Sequence, residues 1–171
     1  YPYDGKIVLS AGDVSRDLPF QLNLRIPGWV KSGTVRWNGN ERRLSKEDAA
    51  SYLPVEVSSA EGFCLEVEFD MPVRYTQAHP LVEECAGQVA VERGPLVFCM
   101  ETPDTTADTL DRIILPAGSG FTLAFEPIQG RKIPVLKAKA LLCPEISDEL
   151  YRTLPQEPMA ETEISMIPYY A

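Results

Sequence analysis

Histidine is nearly missing from this chain, His79 being the single one in 171 residues. A cluster of imidazoles, whether as a His-rich metal site or as repeated His-paired nucleophiles, is therefore excluded within it. Positive charge is also scarce: 16 Lys and Arg stand against 25 Asp and Glu, a net charge of −9. Such a field repels polyanions, which argues against nucleic acid and anionic membrane as partners. No run of 18 apolar residues occurs, so nothing is long enough to cross a bilayer as a helix. Gly-x-Ser-x-Gly, Gly-x-Gly-x-x-Gly, Walker-type and Cys-x-x-Cys motifs are missing too, which removes the usual signals of a nucleophile elbow, a nucleotide cradle and a paired-cysteine metal site. The chain opens Tyr1-Pro2-Tyr3-Asp4-Gly5 without Met, basic n-region or apolar h-region. The expectation is a fragment or processed piece of something longer.

What is present describes a globular body. Hydrophobic residues make up 44% and charged residues 24% of the chain, well above the range of disorder. Fifteen prolines against 11 glycines argue for many short elements over long helices. Cys64, Cys85, Cys99 and Cys143 are even in number but lie 21, 14 and 44 positions apart. Free, mostly buried thiols are the expectation, and the redox compartment stays open.

Period-two alternation recurs along the chain. Phe20-Gln21-Leu22-Asn23-Leu24-Arg25-Ile26 puts apolar residues on one face, as a half-buried antiparallel strand requires, and Phe63 to Asp70 repeats the pattern with Phe63, Leu65, Val67 and Phe69 inward. Further strands are expected at Lys6 to Leu9, Thr34 to Trp37, Val55 to Val57, Gln88 to Val91, Leu96 to Met100, Phe121 to Phe125 and Val135 to Leu142. Asn38-Gly39 signals a type I′ hairpin, since both residues tolerate positive φ. Helical signals are thin: Ser45 to Ala50 would cap one or two turns, and Ser147 to Leu154 another short helix. Glu145 to Glu163, with six acidic residues and one Arg, reads as a solvated loop. The fold class expected is all-β, a mostly antiparallel, jelly-roll-like β-sandwich with one or two short helices. A break near Gln77-Ala78-His79-Pro80 divides it into two small packed modules, 1–76 and 77–171.

Several residues invite a chemical reading, and each has a simpler one. Glu66, Glu68 and Asp70 share a strand face with neighbours about 6.5 to 7 Å apart, a spacing that suits two carboxylates flanking a water. The solvent face of an amphipathic strand is the simpler and the favoured reading. Glu83-Glu84 and Glu92-Arg93 read as surface charge or a local ion pair. His79 and Cys85 could give two metal ligands, but nothing nearby completes a set. Gly118-Ser119-Gly120 lacks the strand-to-helix context of a nucleophile. Trp29, Trp37 and Tyr75 are candidate carbohydrate contacts, because an aromatic ring stacks on a sugar's apolar face; a core role for Trp37 and a packing corner at Trp29 are the alternatives. No catalytic, cofactor-binding or metal residue is assigned.

Three segments carry a resemblance. Leu24-Arg25-Ile26-Pro27-Gly28-Trp29, Val35-Arg36-Trp37-Asn38-Gly39, and Val89 to Glu101 with its Glu92-Arg93-Gly94-Pro95-Leu96-Val97-Phe98-Cys99 run resemble, in order and spacing, the glycoside hydrolase family 127 proteins, the β-L-arabinofuranosidase-like enzymes. Tyr1 to Gly5 is similar to their segment just after the catalytic domain. Met71 to Arg74 resembles the end of their middle module, and Ile167 to Ala171 a late motif that there continues further. The resemblance spans nearly the whole chain and is strongest up to Glu101.

It implies that the catalytic cysteine, the acid/base glutamate and the cysteine-rich zinc site belong to an (α/α)6 barrel upstream, so that this chain holds no cofactor and zinc belongs to the missing domain. The expectation is a noncatalytic β-sandwich region of a hydrolase acting on β-L-arabinofuranosides. Its partners would be the parent's catalytic barrel, a second copy in a homodimer, or arabinose-containing glycans. A carbohydrate-binding module using exposed aromatics is the alternative, and a self-sufficient hydrolase using Glu66 and Glu68 is a third. The source would be bacterial, with cytoplasm or periplasm both open, and the expectation at Ala171 is a truncated final strand.

Overall fold

The computed structural model of the chain describes residues 1–11, 18–101, 110–144, 150–151 and 158–170. Its contacts divide it into two compact units, Tyr1–Val73 with Arg93–Pro95, and Arg74–Glu92 with Leu96–Ala171.

The first unit is built on alternation. Strands β1 (Lys6–Ser10), β3 (Gly33–Trp37), β4 (Asn40–Leu44) and β6 (Cys64–Phe69) form one antiparallel sheet in the order β1-β6-β3-β4. Strands β2 (Phe20–Arg25) and β5 (Tyr52–Val57) form a second, two-stranded layer. Burial alternates strictly along β5 and β6, so Leu53, Val55 and Val57 from one layer meet Leu65, Val67 and Phe69 from the other. Val35, Leu44, Ile26, Val30 and Phe63 complete this core. A two-stranded ribbon is marginal in water by itself, and here its stability comes from the apolar face it buries.

Asn38-Gly39 does form the expected hairpin. Trp37 pairs with Asn40 across it, and φ is +46° at Asn38 and +80° at Gly39, the left-handed pair of a type I′ turn. The Ser45 cap opens a single 3-10 turn, Lys46–Asp48, the shorter of the one or two turns expected there. Ala50, at φ +58°, then reverses the chain into β5. Among the described residues the other helical pieces are also 3-10 turns, Glu83–Cys85 and Leu110–Arg112, which corrects the expectation of short helices. The candidate at Ser147 to Leu154 lies outside the described residues except for Leu150 and Tyr151.

The second unit is built, among the described residues, on a seven-stranded sheet in the order β10-β12-β13-β9-β8-β7, with β11 also on β12; only the end residues Val73 and Arg93 of that sheet count with the first unit. Its strands are β7 (Val73–Thr76), β8 (Ala90–Arg93), β9 (Leu96–Cys99), β10 (Ile113–Ile114), β11 (Thr122–Ile128), β12 (Arg131–Leu142) and β13 (Ala160–Pro168). β12 is flanked on both sides and carries four consecutive buried residues, Ile133 to Leu136. β13 pairs with β12 as far as Met166 and with β9 from Ile167 onward. There alternation gives way to the buried run Met166-Ile167-Pro168, as expected where a strand passes from one partner to another.

β13 also corrects the loop expected through Glu163. Ala160 to Glu163 are strand, with Lys139 opposite Glu163 and Leu141 opposite Glu161. Glu161 and Glu163 are exposed, and a long antiparallel partner supplies the backbone bonds that their polarity did not foretell.

Candidate functional site

The outward face of the first unit's larger sheet holds the carboxylates singled out by spacing. Cys64, Glu66 and Glu68 project from β6 between the buried Leu65 and Val67, and all three are exposed. Arg36 of β3 lies across from Glu66 in register. Its Nε donates to the Glu41 carboxylate at 2.8 Å, and its Nη1 is 3.9 Å from the Glu68 carboxylate. The Glu41 hydrogen bond and charge hold the Arg36 guanidinium above its ordinary pKa. Asp70 follows the strand end and accepts a hydrogen bond from the Ser32 hydroxyl. These carboxylates are thus a ladder of solvated charge, partnered by a cation on an open sheet face. General acid–base work favours desolvated groups, and Glu66 and Glu68 are exposed.

The candidate sugar contacts fall in different settings. Trp29 is half-buried, packs on the first unit's core and meets Phe69 edge to face at 5.7 Å. Trp37, in phase with Val35, packs on the same core. It also borders a shallow groove of about 340 Å³ beside the hairpin, with Arg36, Asn38, Asn40, Glu41 and Glu66. Tyr75, in the second unit, is 40% exposed. Its hydroxyl donates to the Ser119 carbonyl at 2.6 Å and its ring lies 5.7 Å from Phe121; partial burial raises its pKa. Pattern reading passed over the more exposed Tyr52, which is 64% accessible on β5 with the Arg25 guanidinium 5.2 Å above its ring. Its position on the outward phase of an alternating strand was the available signal.

The remaining candidates have local partners. His79 Nδ1 accepts the Leu81 amide at 3.2 Å, and the His79 carbonyl accepts that of Val82, so His79 shapes a turn. Glu92 pairs with Arg74 at 2.6 Å, both half-buried, and not with its neighbour Arg93. Within the first unit Arg93 Nη1 donates to the Tyr3 carbonyl at 2.7 Å. Burial lowers the Arg93 pKa, with the Asp4 charge opposing. All four cysteines are free thiols, Cys64 exposed and the others half-buried. That corrects the expectation of mostly buried thiols, since Cys64 takes the outward phase of β6. Among the described residues no three of His, Cys, Asp and Glu form a group that could hold a metal ion.

The second unit exposes several apolar side chains. From His79 to Gln88 the chain makes successive turns closed by Val82, Cys85, Ala86 and Gln88 amides. These leave Leu81 84% and Val82 42% exposed, with Val89 at 44%. Val89 and Cys85 also line a depression of about 360 Å³ with Thr76, Ala78 and Ala90.

Residues 1–71 match the domain family described as the GH127 middle domain of beta-L-arabinofuranosidase, and residues 73–171 match the glycoside hydrolase family 127 C-terminal domain. Over 111 residues, 63% of this chain, it is 39% identical to a non-reducing end beta-L-arabinofuranosidase of Bifidobacterium longum subsp. longum, of which the match covers 17%. A solved glycoside hydrolase superposes with a TM-score of 0.86 at 33% identity, covering 99% of this chain and 28% of that one. A GH127 beta-L-arabinofuranosidase from Geobacillus stearothermophilus T6 gives 0.80 at 32% identity, covering 99% of this chain and 27% of its own. The chain thus spans under a third of the length of these relatives.

Proposed function

The chain belongs to glycoside hydrolase family 127, and from that membership we propose that it is the noncatalytic β-sandwich region of a longer hydrolase of β-L-arabinofuranosides, bracing the catalytic domain or an oligomer interface. The observation that carries this reading is the coverage: 99% of the chain follows solved relatives of which it is 27% to 28%. The exposed, cation-partnered setting of Glu66 and Glu68 supports it, because bond cleavage there would lack a desolvated acid. So does the exposure of the apolar side chains Leu81, Val82 and Val89, which a neighbouring domain would shield. In this reading the cysteine nucleophile and the zinc implied by the family resemblance belong to the catalytic domain beyond the chain.

The test is turnover of an aryl β-L-arabinofuranoside by this chain and by the full-length protein that contains it. The expected result is hydrolysis by the longer protein alone. Comparable rates from the two would overturn the proposal.

Tyr52 favours a second reading, a sugar-binding surface. Titration with arabinose-containing oligosaccharides should then give a saturable tyrosine signal that Tyr52→Ala abolishes. A flat titration removes this reading and leaves the first intact.

A further inference from the structure

Among the described residues the two layers of the first unit are unequal, four strands against two. Among the described residues β2 and β5 pair with each other and with no other strand. The Ile26 amide donates to the Ser51 carbonyl at 2.9 Å, which marks a hydrogen-bonded pair next to the strand ends. Stepping by two along the register makes Leu24–Leu53 and Leu22–Val55 hydrogen-bonded pairs, and Arg25–Tyr52, Asn23–Pro54 and Gln21–Glu56 the intervening ones. Backbone groups of the intervening residues point away from the partner strand, so each strand has one outer edge and the two edges differ.

On the outer edge of β5 the central residue is Pro54, which has no N–H and cannot extend a ladder. The outer edge of β2 presents the amides and carbonyls of Gln21, Asn23 and Arg25 with no proline among them. Beside it Leu22 and Leu24 are half-buried against the core, leaving apolar surface at the margin of the layer. One edge is closed to strand addition and the other is suited to it.

We propose that the β2 edge receives a β-strand from the part of the protein outside this chain, an extended segment of alternating apolar and polar residues whose apolar side covers Leu22 and Leu24. This rests on the reading of the chain as one region of a longer hydrolase. The chain is 28% of a solved relative, so most of the sequence able to supply such a strand lies elsewhere in the protein. A second copy fits less well, because pairing β2 with itself brings together two chains of net charge −9.

The test is residue-resolved amide hydrogen exchange on the full-length protein, with the outer amides of Tyr52 and Glu56 as internal controls. Gln21, Asn23 and Arg25 should exchange at least about a hundredfold more slowly than those controls. Equal rates would overturn the proposal, and so would protection that disappears on dilution, which assigns the edge to a second copy. Asn23→Pro should restore fast exchange at Gln21 and Arg25, whereas Asn23→Ala should not; if the proline variant fails to fold, the wild-type comparison decides alone. Exchange is read independently of turnover, so loss of the enzymatic reading and loss of the strand-docking reading are separate results.

Discussion

Replacing Gly33 by alanine tests how tightly the first unit's larger sheet is drawn together. Gly33 opens β3, opposite Phe69 of β6 and Leu44 of β4. A Cβ there would lie 2.6 Å from the Glu68 carbonyl oxygen and 3.2 Å from the Phe69 Cα, where ordinary contact begins at 3.4 Å. Some 0.8 Å, the difference between 3.4 and 2.6, has to come from backbone. β6 cannot move freely, since β1 holds its other side and Phe69 is buried. Overpacking of this kind costs about 1 to 3 kcal/mol, and the reduced freedom of the unfolded chain returns about 0.4 to 1 kcal/mol. From the middle of each range, about 2 less about 0.7, the net loss is about 1.3 kcal/mol, which in urea moves the unfolding midpoint down by roughly 0.6 to 1.3 M for a slope of about 1 to 2 kcal/mol/M. Gly39→Ala separates space from backbone conformation: at φ +80° with nothing within 4 Å, it suffers conformational strain and no clash. Gly5→Ala should be worse than Gly33→Ala, because its Cβ would fall on the Phe69 carbonyl oxygen. Urea titrations monitored by tryptophan fluorescence read all three. A Gly33→Ala midpoint equal to or above wild type would refute the reasoning.

Asp48 accepts the Ser45 amide at 2.9 Å and pairs with Arg42 at 2.6 Å; the Ser45 backbone hydrogen bond leads in holding its carboxyl below the ordinary range. A carboxylate with a lowered folded-state pKa stabilises the fold above its unfolded pKa of about 4, and that contribution is lost as pH falls through the folded value. Asp48→Asn should thus lower the thermal midpoint at pH 7 and converge with wild type in acid; a constant difference down to pH 2 would contradict the assignment. Breaking the half-buried Arg74–Glu92 pair by Glu92→Gln should cost about 1 to 3 kcal/mol in chemical denaturation, and a neutral result would place the pair among inconsequential surface contacts. Cys64 should react first with an aromatic disulfide reagent under native conditions, ahead of Cys85, Cys99 and Cys143, and Cys64→Ser should remove that fast phase. Uniform rates would show that exposure does not govern thiol access here.

Much of the fold was legible because burial writes a period of two into the strands. Leu22 and Leu24, and Leu65, Val67 and Phe69, face the core as alternation requires. β4 escaped notice because Asn-Glu-Arg-Arg-Leu has no such period; it is a strand because the Asn38-Gly39 turn lays it on β3. Ala160 to Glu163 escaped for the related reason that β12 supplies its ladder. Among side chains, the core role of Trp37 followed from its phase with Val35. The exposure of Tyr52 and the pairing of Glu92 with Arg74 depended on which strands became neighbours.

By itself, then, the amino-acid order determined an all-β body with a type I′ hairpin at Asn38-Gly39, and it carried the motif series of family 127. Those properties rest on local φ preferences, side-chain alternation and residues near one another along the chain. Tertiary structure decided that Glu66 and Glu68 lie on an open sheet beside Arg36, and that β2 and β5 form a layer two strands narrower than its counterpart. It also decided that Pro54 falls on one margin of that layer and Asn23 on the other. Each of these depends on strand register and pairing, which bring together residues tens of positions apart and which no short window of sequence encodes.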